Sequence, residues 1–314
     1  MSDLHVIFGT GPLGRSVMNE LVRRGERVRL INRSGRIPEA PSGIEVITAD
    51  AYDVSATRRV TQGAAVVYQC AQPGYTRWPD LFPPLQAAIL EGAAAAGAKF
   101  IIAENLYMYG EVAGPLHEGL PYQAHTRKGR VRAAMAEAAL AAHQAGRVRV
   151  AIGRGSDFFG PWVVGAAAGD RVFYPAIAGK AAQFGGRLDV PHTQTYIEDF
   201  GRALVVLGER EEALGQAWHV PNDRPNLTQR EFADLIAQAL GKPVKASGMG
   251  RFMLRLGGLF IPEAREMVEM MYEFEKPFVV DSSRFERAFG MRATPIAEAV
   301  RVTLDWYRAH PQHD

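Results

Sequence analysis

The chain has 314 residues, of which 47% are hydrophobic and 22% are charged. This is the composition of an ordinary soluble globular protein of about two domains, and it excludes a disordered chain, a collagen and a small disulfide-rich scaffold. The formal net charge is only +2, so no overall electrostatic field draws the chain to nucleic acid or to an anionic membrane, and neither is expected as a partner.

The single cysteine, Cys70, cannot form an internal disulfide, which fits a reducing compartment. The amino terminus lacks the basic segment and the long apolar run of a signal sequence. No run of about 18 apolar residues predicts a membrane-spanning helix. Together these features predict a cytoplasmic protein.

The first 160 residues alternate strand-like and helix-like patterns. Short β-rich runs predict strands at 4–8, 27–31, 44–48, 65–71, 99–103 and 148–153. Apolar residues at helical spacing predict helices at 13–24, 81–96 and 126–145. Because parallel neighbours need a crossover long enough to hold a helix, the alternation predicts an α/β domain over residues 1–160, with a doubly wound parallel sheet.

Residues 161–314 lack the regular alternation of strands and helices. They are predicted to form mainly a smaller, substrate-binding lobe, with parts of about 195–222 returning to the first domain. Strands are predicted at 171–174, 181–184, 188–190 and 217–220. Helices are predicted at 197–207, 228–240, 251–259, 263–275, 283–289 and 295–309. Thr228, followed three residues later by Glu231, has the pattern of a capping box at a helix start.

A glycine-rich segment follows the first strand and opens the first helix. Gly9-Thr10-Gly11-Pro12-Leu13-Gly14 has the spacing G-x-G-x-x-G. In this context Gly9 permits a tight turn, Gly11 lets the backbone approach a pyrophosphate, and Gly14 lets the helix pack closely on the strand. Free N–H groups at the helix start would face the phosphates. The segment predicts a dinucleotide site; the alternative is that the glycines only shape a loop.

The end of the second strand bears on cofactor choice. A protein selective for NAD usually carries Asp or Glu here for the ribose hydroxyls, whereas this chain has the neutral Asn32. Arg33, Ser34 and Arg36 are suited to hold an adenosine 2′-phosphate, so NADP(H) is preferred and NAD(H) stays possible. The alternative is that these are solvated loop residues.

Asp50 is a further candidate for the predicted cofactor site. Asp50-Ala51 follows the third strand, where an acidic side chain can receive the adenine amino group, although a turn or capping role explains Asp50 nearly as well. Cys70, Ala71 and Gln72 close the fourth strand.

Several motifs in order along the chain resemble one superfamily. They are Gly9–Gly14, Cys70-Ala71-Gln72, Tyr109-Gly110, Arg154-Gly155-Ser156-Asp157-Phe158-Phe159-Gly160-Pro161, Tyr196-Ile197-Glu198-Asp199 and Trp306-Tyr307. The chain is similar in these to the short-chain dehydrogenase/reductase superfamily, specifically its extended and atypical branches, the NAD-dependent epimerase/dehydratase-like proteins. The resemblance implies a Rossmann-like sheet with a C-terminal substrate lobe.

The resemblance also implies a catalytic set that this chain matches only in part. In the family a Ser or Thr follows the fifth strand, and a Tyr precedes a Lys by four residues. The Lys holds the nicotinamide ribose and lowers the pKa of the Tyr, which exchanges a proton with the substrate. Lys128 matches the Lys, but Ala124 stands at the Tyr position and Asn105 at the Ser/Thr position. The standard mechanism is therefore in doubt.

Other residues are candidates for the missing roles. His125, Tyr107 and Tyr109 are candidate proton donors, with a capping or surface position as the alternative for His125. Asn105 is predicted to make a polar contact to substrate or nicotinamide. The predicted substrate contacts are Tyr122, His192, Gln194 and Tyr196.

Two functions from different classes follow from the sequence. The first is an NADP(H)-binding oxidoreductase or epimerase that acts on a small carbonyl, alcohol or sugar-like substrate by hydride transfer. The second is a sensor or regulatory protein that binds NADP(H) without turnover, which the missing Tyr favours. No metal-ligand pattern was found, and the resemblance implies a possible homodimer through helices near 85–95 and 131–141.

Overall fold

A computed structural model describes residues 2–257, 260 and 262–312. Its strands are β1 (Leu4–Phe8), β2 (Arg27–Asn32), β3 (Glu45–Thr48), β4 (Val66–Gln69), β5 (Lys99–Glu104), β6 (Arg149–Arg154), β7 (Phe158–Phe159), β8 (Ala182–Gly185), β9 (Thr195–Tyr196), β10 (Gln216–His219) and β11 (Ala246–Met249). Its α-helices are α1 (Pro12–Arg23), α2 (Val54–Val60), α3 (Trp78–Ala96), α4 (Arg127–Gln144), α5 (Asp170–Ile177), α6 (Ile197–Glu209), α7 (Gln229–Leu240), α8 (Arg251–Gly257), α9 (Pro262–Met267), α10 (Tyr272–Glu275), α11 (Ser283–Phe289) and α12 (Ile296–Ala309). Short 3₁₀ turns cover Tyr75–Arg77, Tyr107–Tyr109, Glu211–Ala213 and Val268–Met270.

Seven strands form one parallel sheet in the order β10-β6-β5-β4-β1-β2-β3. The chain builds outward in one direction from β1 through β2 and β3, and in the other direction from β4 through β5, β6 and β10. The order therefore reverses between β1 and β4, and a crevice opens there at the carboxyl ends of the strands. The predicted Rossmann-like parallel sheet is confirmed.

Both faces of the sheet are covered, which explains why its central strands read as nearly continuous apolar runs. Successive side chains of a strand point to opposite faces. Val6 and Phe8 accordingly join a core with α2, α3 and α4, whereas Ile7 joins the opposite core with α1 and α6. All five residues of β1 are buried.

A separate core lies outside the seven-stranded sheet. It is built from α5, α7, α12 and the short β8–β11 pair, with Phe159, Phe173, Phe232 and Tyr307 among its fully buried members. The aromatic rings of Phe173 and Tyr307 stack at 5.0 Å. The domain boundary placed at residue 160 stays a prediction.

Several predicted elements are wrong. Residues 171–174 were expected in a strand but belong to α5, since Val172, Phe173 and Ala176 form its buried face. Residues 188–190 form a bend and no strand. The helix predicted over 263–275 is broken by a 3₁₀ turn at Val268–Met270, and residue 259, the predicted end of the preceding helix, lies outside the described residues. The predictions missed α2, a short helix capped by Asp53.

A buried ion-pair network lies at the carboxyl end of β5 and β6. The Glu104 carboxylate is fully buried and accepts a hydrogen bond from Arg154 Nε at 3.0 Å, and Arg132 Nη2 lies 3.4 Å from it. Arg154 also donates to the hydroxyl groups of Tyr109, at 2.7 Å, and Tyr122. Both arginines are almost fully buried, so each depends on this carboxylate for its charge compensation.

We expect Glu104→Gln to lower the free energy of unfolding by about 3–5 kcal/mol, because it leaves two buried guanidinium groups without a counter-charge. Urea denaturation measures the loss. The matched control is Glu45→Gln, which removes a half-exposed partner of Arg29 and should cost less than about 1 kcal/mol. Equal losses in the two variants would contradict the assignment of Glu104 as a buried counter-ion.

Candidate active site

The glycine-rich loop lies at the crevice between β1 and β4. Gly9 has φ +102°, and a Cβ placed on it would lie 2.6 Å from the backbone N of Ala71. A Cβ on Gly14 would lie 1.9 Å from the Gly9 carbonyl oxygen, whereas one on Gly11 would meet no atom within 4 Å. The loop is thus tightly packed at Gly9 and Gly14 and open at Gly11, which is the surface that a diphosphate could approach. Pro12 begins α1 beside it.

Asn32 shapes the loop after β2. Its Oδ1 accepts a hydrogen bond from the backbone N of Ser34 at 3.1 Å, and its Nδ2 donates to the Arg36 carbonyl at 2.8 Å and to the Thr10 hydroxyl at 3.2 Å. The carboxamide therefore ties this loop to the glycine-rich loop. Arg33 and Arg36 are exposed, and neither makes an ion pair with any residue that the structure describes.

Asp50 lies next to this loop at the end of β3. Its Oδ1 accepts from the backbone N of Tyr52 at 3.0 Å, so the carboxylate stabilises a local turn. Burial raises the pKa of Tyr52, while Arg33 lowers it and Asp50 raises it. Arg33 and Asp50 therefore both lie near the Tyr52 phenol. The partly buried Ala51 packs against the core.

The residues that close β4 lie beside the glycine-rich loop. The backbone N of Cys70 donates to the Phe8 carbonyl at 2.9 Å. Its side chain packs into the core shared with Leu13, and burial raises the pKa of the thiol. Ala71 contacts Gly9, and Gln72 is exposed at the rim.

Lys128, the second residue of α4, is completely buried at the carboxyl edge of the sheet. Its Nζ donates to Glu269 Oε1 at 3.0 Å and to the Glu266 carboxylate. The same Nζ lies 4.4 Å from the centroid of the Tyr75 ring, a cation–π contact. A ribose that binds Lys128 must therefore compete with two carboxylates.

Those carboxylates belong to a segment that packs on the amino terminus of α4. Arg127 Nη2 donates to both carboxylate oxygens of Glu266 at 2.7 Å, and the Arg127 backbone N donates to Glu269 Oε2 at 2.8 Å. Burial raises the pKa of Glu266, but the hydrogen bonds from Lys128 and Arg127 outweigh it and bring that pKa below its usual value. Glu266 is thus held ionised over Lys128.

Tyr107 and Tyr75 meet beside Lys128. The two phenols interact, which lowers the pKa of Tyr75 and raises that of Tyr107, and both side chains are partly buried. Burial raises the pKa of the Tyr75 phenol, and the interaction with Tyr107 opposes that shift. Three nearby carboxyl groups raise it further, those of Glu273, Asp157 and Glu269.

We call Lys128, Tyr75, Asp157, Glu269 and Glu273 the cluster at Lys128. His192 adjoins it and stacks on the rings of Phe274, at 4.7 Å, and Phe278, at 5.4 Å. Its Nδ1 donates to the Glu273 carbonyl at 3.0 Å, since a carbonyl can only accept, and its Nε2 lies 2.8 Å from Asp157 Oδ2. Burial raises the pKa of the Glu273 carboxyl well above its usual range, and Asp157 adds to the shift. The buried Glu273 carboxyl is therefore held in its neutral form.

Two predicted site residues have their hydroxyl groups bound elsewhere. Those of Tyr109 and Tyr122 bind Arg154, and Tyr109 also donates to His219 Nε2 at 2.9 Å. Burial lowers the pKa of His219 to about 3, so this histidine is neutral. The structure thus places Tyr109 and Tyr122 in the ion-pair network of Glu104, away from the polar contacts of Lys128.

The remaining candidates are spread around the site. Asn105 Oδ1 accepts from the backbone N of Tyr107 at 3.3 Å, and the exposed His125 packs against Tyr272 with 4.9 Å between ring centroids. Gln194 and Tyr196 line a different, small pocket with Asp199, Asn222 and Ile296. Gln194 Oε1 is buried without a hydrogen-bond partner there.

Comparison with known proteins identifies the family of this chain. The sequence model of the NAD dependent epimerase/dehydratase family matches residues 6–220. The chain belongs to that family. A search of curated proteins found no match.

Solved structures of epimerases share the fold over almost the full length of both chains. An epimerase from Methanothermobacter thermautotrophicus has a TM-score of 0.80 at 17% identity, with 98% of this chain and 93% of that chain covered. The UDP-N-acetylglucosamine 4-epimerase of Bacillus cereus has 0.79 at 14% identity, covering 100% and 99%. The UDP-glucose 4-epimerase of Thermus thermophilus, solved as a complex with NAD, has 0.76 at 16% identity, covering 98% and 100%.

None of the helices in the described part of this family member has the length and apolar character needed to span a bilayer.

Five residues around Lys128 were not identified as site residues from the sequence. They are Tyr75, Asp157, Glu266, Glu269 and Glu273. Asp157 lay within a recognised motif, and so carried a signal that could have been used. The others lie in irregular or short helical segments, where no spacing rule links them to a residue as distant as Lys128.

We expect the double variant Glu266→Gln, Glu269→Gln to bind NADPH about tenfold more tightly, because neutral acceptors hold the Lys128 ammonium less strongly than carboxylates do. Isothermal titration calorimetry measures the affinity. Glu275→Gln is the matched control, since Glu275 pairs with Arg251 on the same segment. Weaker binding in the double variant would show instead that these carboxylates contact the cofactor.

Proposed function

We propose that the protein is a nicotinamide-dinucleotide-dependent oxidoreductase or epimerase that acts by hydride transfer on a small carbonyl, alcohol or sugar-like substrate. The observation that carries the proposal is the placement of two features at one crevice. The glycine-rich loop is open at Gly11, and Lys128 lies beside the neighbouring strand ends. Membership of the epimerase/dehydratase family supports the same chemistry.

A bound dinucleotide supplies or accepts the hydride. The N–H groups at the start of α1 hold its diphosphate, and Lys128 holds the nicotinamide ribose. Asn105 offers its amide as a polar contact at the end of β5. His192 Nε2 lies 2.8 Å from Asp157 Oδ2.

NADP(H) is the preferred cofactor. Asn32 has a carboxamide and not the carboxylate that would bind the ribose hydroxyls, and this amide is already hydrogen-bonded within the loop. That loop leaves the guanidinium groups of Arg33 and Arg36 exposed beside the Ser34 hydroxyl, a group of donors suited to a 2′-phosphate. NAD(H) is the alternative, since the Thermus thermophilus epimerase was solved with NAD.

The structural neighbours support a proposal for the substrate class. Two of the structural neighbours are described as epimerases of UDP-sugars, which supports a sugar-like substrate. Of the predicted contacts, His192 adjoins the cluster at Lys128, and Tyr122, Gln194 and Tyr196 lie further from it.

A sensor without turnover is the second candidate. One observation favours it: the Lys128 amine is engaged by two carboxylates, and Ala124 offers no proton. In such a protein, dinucleotide binding would displace the segment that carries Glu266 and Glu269.

We also infer a homodimer through α3 and α4, in a cytoplasmic protein. A groove of about 500 Å³ runs between these helices on their outer face. It is lined largely by small or apolar residues, among them Ala87, Leu90, Ala134, Ala138 and Ala142. Such a face permits the close helix approach that a four-helix contact needs.

The proposal is tested in two assays of the purified protein. With NADPH, nicotinamide absorbance is followed against a panel of small carbonyl compounds; with NADP⁺, a panel of UDP-sugars is followed by chromatography for the epimerised sugar, because epimerisation consumes no net dinucleotide. We expect turnover in one of these assays that Lys128→Ala abolishes. Lys242→Ala is the control, since Lys242 is exposed and its ammonium donates, among the described residues, to the Ile177 carbonyl alone. Tight NADPH binding without turnover of any compound would favour the sensor, and no binding of either dinucleotide would refute both functions.

Cofactor choice has its own test. Arg33→Gln should weaken NADPH binding by about tenfold to a hundredfold, the contribution of a charge-assisted hydrogen bond, and leave NADH binding unchanged. Calorimetry with both dinucleotides measures this. Arg27→Gln, at the opposite end of β2, is the matched control. Unchanged NADPH affinity in Arg33→Gln would show that this arginine does not bind the 2′-phosphate.

A further inference from the structure

We propose that Tyr75 is the proton donor and acceptor of the reaction, in the place left empty by Ala124. This inference rests on the proposed hydride-transfer function. It goes beyond that function because it assigns the acid–base group to a residue that follows β4, whereas the family's usual Tyr lies four residues before the Lys.

The backbone around Ala124 shows why the usual place is empty. The helix α4 begins at Arg127, and its cap Thr126 has the extended angles φ −85° and ψ 158°. Residue 124 therefore precedes the helix, and its spacing of four from Lys128 does not place the two side chains on one helical face. Moreover, Ala124 has only a methyl group. A phenol near Lys128 has to come from elsewhere in the fold.

The sheet topology brings Tyr75 there. β4 pairs with β5, so the segments that follow these two strands leave the sheet side by side. Tyr75 comes from the first segment and Tyr107 from the second, and the two partly buried side chains pack against the same core. The ring of Tyr75 faces the Lys128 ammonium at 4.4 Å. Tyr75 is thus a described phenol in direct contact with Lys128.

The charged groups around Tyr75 set its acidity. Lys128 from α4 is the cation that contacts it. The carboxyl groups come from three other segments: Asp157 after β6, Glu269 in the 3₁₀ turn, and Glu273 in α10. Together with burial they raise the pKa of Tyr75, so the phenol carries its proton at neutral pH and is ready to donate it.

Release of Lys128 would make the phenol more acidic. Glu266 and Glu269 now neutralise the ammonium. Once a ribose replaces them, the positive charge stabilises a phenolate at Tyr75, and the interaction with Tyr107 stabilises it further. Cofactor binding and proton transfer are thereby coupled through one amine.

The chemical step balances in both directions. In carbonyl reduction, the substrate carbon gains a C–H bond from the hydride of the reduced dinucleotide, and its oxygen takes the proton of the Tyr75 O–H. This leaves oxidised dinucleotide and a phenolate beside Lys128. In alcohol oxidation, the phenolate removes the O–H proton and the hydride returns to the oxidised dinucleotide.

The first test measures the phenol directly and needs no substrate. Tyrosinate absorbance near 295 nm is titrated in the wild type, in Glu266→Gln, Glu269→Gln, and in that double variant with Tyr75→Phe. We expect one phenol to titrate at lower pH in the double variant than it does in the wild type, and the triple variant to lose it. No such phenol in the double variant, or its persistence in the triple variant, would overturn the proposal.

A kinetic test separates this inference from the proposed function. With NADPH and the carbonyl panel, Tyr75→Phe should lower kcat by about 10²–10⁴-fold without changing NADPH affinity, and remove the phenol's limb from the pH profile. Tyr174→Phe is the matched control, since that phenol binds the His310 carbonyl in the second core. Unchanged kcat and pH profile in Tyr75→Phe would overturn the inference alone. Absence of turnover in the wild type would count against the proposed enzyme, and the absorbance titration would still decide the acidity of Tyr75.

Discussion

The reversal of strand order at β1 is the constraint on which the rest of this structure depends. β1 pairs in parallel with β2 on one side and with β4 on the other. The segment after β1 leads to α1 on one face of the sheet, and the segment after β4 leads to α3 on the opposite face. The connecting segments therefore separate above the carboxyl ends and leave a crevice. The tight contact between Gly9 and Gly14 keeps α1 low against β1, so that the helix start borders this crevice.

The crevice contains a buried positive charge that nearby carboxyl groups compensate. A fully buried ammonium, that of Lys128, is compensated by two carboxylates from a distant segment, and two more carboxyl groups, those of Asp157 and Glu273, lie close by. A buried cation is stable only with such partners. Any ligand that engages Lys128 has to replace this compensation, so ligand binding and movement of the covering segment are linked energetically.

The fold was largely predictable because its signals are local. Apolar runs alternated with helical periodicity over the first 160 residues, and the glycine spacing came with a strand before it and a helix after it. The predictions failed where local pattern and tertiary packing disagree. Residues 171–174 are β-prone by composition, yet they form part of α5 because one face of that helix packs into the second core. Residues 263–275 have helical periodicity, but a 3₁₀ turn interrupts them.

The sequence by itself determined the sheet and the position of the glycine-rich loop, because both depend on residues that are neighbours along the chain. Lys128 was chosen from its resemblance to a family motif, and its role stays a prediction. Only the tertiary structure decided which phenol lies beside that lysine. Tyr75 is 53 residues away from it, Glu269 is 141 residues away, and no periodicity relates them. Their meeting depends on which strands are adjacent and on where the carboxyl-terminal segment packs, and both are set by long-range burial of apolar surface.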